Sequence, residues 1–174
     1  RYSARVAQEF SPSLIELDPF RRCAVMEHIE GFKYPEGHAP YQEDVKAAFS
    51  FFNKLNSNLD LARDMIPNDA AEGFLSISQH MGNVFKRLNG MGIEHLPSEY
   101  KLNAGQILCR LRTRAERTAE RLEKKIKYGI VADSINPDEQ CISPSDFGFH
   151  NAIRRPSGEI AFLDFEYSGW DDPV

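Results

Sequence analysis

The chain has 174 residues, 41% of them apolar and 27% charged, with 12 Phe and a net charge of -5. This length suits one folding unit with a sizeable core, and two complete domains would be a tight fit. The composition leaves little room for long disorder, and the acidic balance argues against a nucleic-acid binder, whose partner demands a basic surface.

Three cysteines, Cys23, Cys109 and Cys141, are an odd number at wide spacings, which fits neither a disulfide framework nor a metal-ligand cluster. The N-terminal stretch "RYSARVAQEF" lacks the apolar core of a signal peptide, and no apolar run reaches the length of a membrane span. A soluble protein of the reducing cytoplasm is the expectation.

The first thirty residues read as strands. In "SLIEL" (13–17) and "CAVMEHI" (23–29) apolar residues are dense and partly alternate, and "DPFRR" between them carries an Asp-Pro turn signal. The Gly- and Pro-rich "EGFKYPEGHAP" reads as a linker. From Tyr41 the period becomes helical, with Val45, Phe49, Phe52 and Leu55 on one face. A second helix is expected after Pro67. Asp69 and Glu72 have capping-box spacing, Phe74, Ile77, Met81, Val84 and Leu88 form its stripe, and Gly90 suits its end.

A third helix is expected over about 103–128, with Leu108, Leu111, Ala115, Ala119, Leu122 and Ile126 on one side and Gly129 as its stop. Its polar side, "RLRTRAERTAERLEKKIK", is basic but interrupted by Glu116, Glu120 and Glu123, which points to a solvated face with i,i+4 pairs to Lys124 and Lys127. The closing region returns to strands. "NAIRR" and "EIAFLDF" flank the turn signal "PSG", so 151–165 is expected to be a β-hairpin with Asn151 entering it and Asp164 near its far end. The order of elements makes the fold class α+β.

Asp and Asn are common loop caps, so a D-x-x-x-x-N match has little weight alone. Asp164 adds weight, because a carboxylate buried at the end of "IAFLDF" needs a partner. A Mg²⁺ ion would serve. It takes hard oxygen ligands, one or two from the protein and the rest from water and phosphates, and Asn151 with Asp164 supplies two. Asp146 is then left to accept a proton from an attacking hydroxyl.

Asp146 and Asn151 in "SDFGFHN", followed by Asp164 in "FLDFEYSGWDDP", resemble the catalytic loop and metal-binding segment of the aminoglycoside phosphotransferase and choline kinase group, within the protein-kinase-like fold. The resemblance implies Asp146 as catalytic base, with Asn151 and Asp164 as Mg²⁺ ligands beside the phosphates of ATP. Upstream, "CAVMEHIEG" looks like the strand and hinge that hold adenine in such kinases. Met26 would line the pocket, the Glu27 carbonyl would accept from the adenine amino group and the Ile29 amide would donate to a ring nitrogen.

On this likeness, residues 1–32 are the end of a small β lobe with its hinge strand, and 33–174 are the helical large lobe. The implied reaction moves the γ-phosphoryl group of ATP to a hydroxyl of a small molecule. Two alternatives stay open: a nucleotide-binding pseudokinase without transfer, and a helical interaction protein whose Asp and Asn only cap a loop.

Several residues depart from the group's pattern. Pro144-Ser145-Asp146 stands where most members have His-Gly-Asp or His-Asn-Asp, so the His that usually buttresses the loop is missing. Phe147, Phe149 and His150 are the nearest residues to replace it. No Lys precedes Lys33, no Gly precedes Gly31, and the sequence ends at "WDDPV". The expectation is a piece of a longer enzyme, incomplete for catalysis by itself. Glu166 is placed by strand alternation on the side of Asp164, Asp172 is expected to cap a following helix, and Trp170 either edges a pocket or closes the core.

Overall fold

A computed structural model describes residues 2–21, 23–34 and 39–173. Arg22 of the expected turn, residues 35–38 of the expected linker and Val174 lie outside them. In chain order the elements are α1 (Ser3–Val6), β1 (Leu14–Asp18), β2 (Cys23–Met26), β3 (Phe32–Lys33), α2 (Gln42–Leu55), α3 (Leu59–Met65), α4 (Ile77–Gly90), α5 (Ser98–Lys127), β4 (Cys141–Ser143), β5 (Ala152–Arg154), β6 (Ile160–Phe162) and β7 (Gly169–Asp171). Helices and strands are therefore mixed along the chain. Among the described residues, no helix is long and apolar enough to cross a membrane, and the three cysteines are free thiols.

The chain forms two compact units, residues 1–73 with 141–174, and residues 74–140. In the first, β1 and β2 pair antiparallel, β3-β5-β6 form a three-stranded sheet, and β4 pairs with β7. Residues 3–10 are helical turns, not strand. The stretch read as a linker supplies β3, whose Phe32 and Lys33 pair with Arg154 and Ile153. The expected boundary at residue 32 thus falls at the start of a strand in this sheet.

The core of this unit is aromatic. Phe51 is fully buried, with its ring 5.1–6.1 Å from those of Phe10, Phe147, Phe162 and Phe165. Leu55 of the expected α2 face is buried too, but Phe49 is not, which shifts the phase of the helix in its middle. The run Phe49-Ser50-Phe51-Phe52 satisfies helical periodicity in two phases, and the aromatic partners on the strands and loops select Phe51, leaving Phe49 65% exposed.

Two side chains of α2 fasten it to the strands. Buried Asp44 pairs with Arg154 of β5, and the Arg154 guanidinium lies 4.5 Å from the centre of the Tyr41 ring. At the other end of α2, Asn56 Oδ1 accepts from the Ile142 amide (2.6 Å) and Asn56 Nδ2 donates to the Ile142 carbonyl (3.0 Å). The Asn56 side chain thereby stands where a neighbouring strand would stand beside β4.

The second unit is built on α4 and α5. The helix expected after Pro67 begins later, at Ile77. Ser76 accepts from the Gln79 amide (3.1 Å), and Gln79 Oε1 accepts from the Leu75 amide (2.8 Å). Ser76-x-x-Gln79 is the working cap, in place of Asp69 and Glu72. The reason lies in residues 68–71, whose backbone is committed elsewhere: Ala70 and Ala71 donate to the Trp170 and Tyr167 carbonyls, and Trp170 donates to that of Asn68.

Helix α5 starts at Ser98, before the expected position, and runs to Lys127, with Gly129 at φ +65° turning the chain just beyond it. Glu116, Glu120, Glu123, Lys124 and Lys127 are exposed. None of them closes an ion pair among the described residues. The face is solvated but not laced with the expected i,i+4 pairs.

Removing one partner of a buried ion pair costs about 3–5 kcal/mol. Arg154 keeps 32% of its side chain in water, so Asp44→Ala is expected to cost about 2 kcal/mol. The measurement is a fall in the urea midpoint at unchanged m. Asn56→Ala leaves both polar groups of Ile142 without their side-chain partner and is expected to cost about 1–3 kcal/mol in the same experiment.

Candidate functional site

The β5–β6 hairpin sets the site. Its register pairs Ala152 with Phe162, Ile153 with Ala161 and Arg154 with Ile160. One step beyond, the Leu163 amide donates to the Asn151 carbonyl at 2.8 Å. Asp164 follows directly, so Asn151 and Asp164 lie at the same open end of the hairpin. From the loop that leaves β4, Asp146 joins them: Asn151 Nδ2 donates to the Asp146 carbonyl (3.1 Å) and to its Oδ2 (3.4 Å). His150 Nε2 stands 3.3 Å from the other carboxylate oxygen, Oδ1.

Two non-glycine residues, Ser145 (φ +62°) and Asp164 (φ +63°), are in the left-handed region among the described residues, and both flank this cluster. That conformation costs free energy unless the surroundings impose it. Here it turns the chain sharply before Asp146 and again after β6.

The turn at Asp164 corrects a premise. The strand ends at Phe162 and alternation ends with it, so the Asp164 carboxylate is exposed and burial demands no counter-charge for it. Glu166 also lies in a turn, where alternation has no meaning. Its carboxylate, as the acceptor and the charge beside the Tyr167 hydroxyl, holds that phenol above its ordinary range, and the Asp164 and Asp146 carboxylates add to the effect. Tyr167 thus feels three carboxylates at once.

Beside Asp146 opens a cavity of about 650 Å³ lined by Ala71, Glu72, Ser143, Ser145, Asp146, Tyr167 and Asp171. Its floor is built by the backbone bonds that draw residues 70 and 71 against 167–170. The lining includes neither Asn151 and Asp164 nor Met26, Glu27 and Ile29. Trp170 does not edge it. Its ring is buried, its Nε1 donates to the Ile66 carbonyl (2.9 Å), and it closes the core. The Asp172 amide donates to Asp171 Oδ1 (2.9 Å).

The expected adenine-binding residues lie on β2 and the segment after it. Met26 is exposed and pairs with Leu14, while Ile29 is buried. Glu27 is held on three sides. Its amide donates to the Ser13 carbonyl (2.9 Å), its Oε2 accepts from the Ser13 amide (3.1 Å), and its Oε1 is 3.5 Å from Arg155 Nη1. The Ser13 amide above all, with Arg155 behind it, keeps the Glu27 carboxyl below its usual range. Neither the Glu27 carbonyl nor the Ile29 amide has a hydrogen-bond partner among the described residues.

Among the described residues, no group of three His, Cys, Asp or Glu side chains is arranged to hold a metal ion. Asn151 and Asp164 offer an amide and a carboxylate oxygen at one hairpin end. That donor set fits a Mg²⁺ ion arriving with phosphates and water, and it does not fit a dedicated protein cage. Of the three residues named from the sequence as nearest to replace the missing His, His150 is the one that stands beside the Asp146 carboxylate, with Nε2 3.3 Å from Oδ1. No family model matches the chain, and comparison with curated proteins and with solved structures finds no match.

Proposed function

We propose that this chain carries the phosphoryl-transfer centre of an ATP-dependent small-molecule kinase with a protein-kinase-like fold, of the aminoglycoside phosphotransferase and choline kinase kind. The reading rests on one observation: the Asn151 side chain bonds Asp146 while its main-chain carbonyl accepts from Leu163, so that Asp146, Asn151 and Asp164 lie at one end of one hairpin. Sequence spacing alone does not bring 146, 151 and 164 together.

The opposite end of the same hairpin supports the adenine side of the reading. Glu27 is tied to Arg155 there, and four residues of extended chain separate Arg155 from Asn151, a span of roughly 13 Å at about 3.3 Å per residue. A nucleotide lying along this strand would have its adenine beside the free Glu27 carbonyl and Ile29 amide and its phosphates beside Asn151 and Asp164. The acceptor would occupy the cavity beside Asp146. Its Ser, Tyr and carboxylate lining suits a hydroxylated compound bearing amines.

In the proposed reaction the acceptor oxygen attacks the γ-phosphorus, its proton passes to Asp146, and the bond to the departing ADP breaks. Mg²⁺ bound with the nucleotide supplies charge neutralisation. The protein's part is alignment of the acceptor and acceptance of its proton.

Two variants test the assignment in the full chain. With Mg·ATP and a panel of hydroxylated amines, Asp146→Asn is expected to lower transfer by about 10²–10⁴-fold and to retain the rise in melting midpoint that Mg·ATP gives the wild type. Asp164→Ala is expected to lose that rise. Undiminished transfer by Asp146→Asn, or a wild-type midpoint that Mg·ATP does not move, overturns the reading.

A further inference from the structure

We infer that His150 is a positioning residue for the Asp146 carboxylate, acting from the far side of the loop in place of the histidine missing before it. This rests on the phosphotransfer reading above. The two oxygens of Asp146 face different side chains: Oδ2 accepts from Asn151 Nδ2 (3.4 Å), and His150 Nε2 stands 3.3 Å from Oδ1. A carboxylate bonded at one oxygen still swings about its χ2 bond, and a donor placed beside the other oxygen narrows that swing. General-base catalysis needs the carboxylate's direction fixed relative to the attacking hydroxyl.

The local chain is built to hold the imidazole there. Residues 149–151 form a single 3₁₀ turn, closed by the Asn151 amide donating to the Gly148 carbonyl (3.0 Å). Phe149 packs inward, 5.1 Å from the Tyr34 ring and 6.3 Å from that of Phe162. The next residue, His150, is thereby turned outward over Asp146. Gly148 makes the room. A Cβ at that position would stand 2.6 Å from His150 Nδ1 and 2.7 Å from Cε1. Its backbone, at φ -162° and ψ 168°, is one that alanine adopts without strain.

The contact does not serve stability. The side chains are 62% and 58% exposed, and a pair so placed is screened by water and contributes little to folding.

Because Gly148→Ala displaces the imidazole without altering its chemistry, it complements direct replacement. Turnover is followed as phosphate transfer from Mg·ATP to the acceptor panel and as inorganic phosphate released to water. His150→Ala is expected to lower kcat about tenfold, with KM for ATP and the urea midpoint unchanged. His150→Gln, whose amide nitrogen reaches the place of Nε2, is expected to stay within about threefold of wild type. Gly148→Ala is expected to match His150→Ala, and the double variant to lose nothing further, since both act through one contact. Wild-type kcat in His150→Ala overturns the proposal while leaving the role of Asp146 intact, and so does a fall in midpoint that accounts for the loss. Additive losses in the double variant overturn it equally. A wild-type chain without turnover on any acceptor or water removes the phosphotransfer reading itself, and this role of His150 with it.

Discussion

Asn151 is the joint on which the candidate site turns. Its backbone belongs to the hairpin, through the bond from Leu163, and its side chain belongs to the loop, through the bonds to Asp146. One residue therefore converts the register of two three-residue strands into the placement of a carboxylate on a separate segment. Register in a sheet is all-or-none at the level of faces: a slip of one residue would turn Asn151 to the opposite side and carry Asp164 out of line. Such short strands do not hold a register unaided. It is held by what packs on them.

That support comes from α2. Asp44 at its first turn grips Arg154 in β5, Phe51 at its middle meets Phe162 of β6 and Phe147 of the loop, and Asn56 at its end binds both polar groups of Ile142 in β4. Each of the three segments that build the site is therefore fastened to the same rigid helix. Functional groups on loops keep their geometry only when such an element stands behind them. The aromatic character of the core follows from the same need. Flat rings at 5–6 Å separations fill the angles between a helix, a hairpin and a loop that meet without regular ridges.

Much of this was legible in the sequence. The long period of α5, the Gly129 stop, the "PSG" turn and the strand pair around residue 20 all follow from local chemistry, and local chemistry is what a sequence displays directly. Where the reading failed, two local answers were equally good and a distant contact chose between them. Two capping-box spacings precede α4, and the one at 69–72 is lost because its backbone bonds to 167–170. Two phases suit the Phe-rich stretch of α2, and the strands select Phe51. The pairs β3 with β5 and β4 with β7 escaped altogether, since strands of two or three residues carry no period to detect. The polar residues at 146, 151 and 164 were visible as types and spacings. The bond between 146 and 151 and the place of 164 at the same hairpin end were not, because they depend on hairpin register and on one side-chain amide.

The charge of the site sets a further condition on its chemistry. Residues 1–73 and 141–174 carry 18 Asp and Glu against 10 Lys and Arg, and Asp146, Asp164 and Glu166 bear together on one phenol. A field of that sign repels a bare triphosphate and attracts a divalent cation. Asp164, being exposed and without a cationic partner among the described residues, retains its full pull on such an ion. A buried carboxylate would have required permanent neutralisation and would have had less to offer a transient one. On the proposed kinase reading, a polyphosphate would come to this hairpin end with its own cation, and nucleotide and metal would bind in mutual dependence.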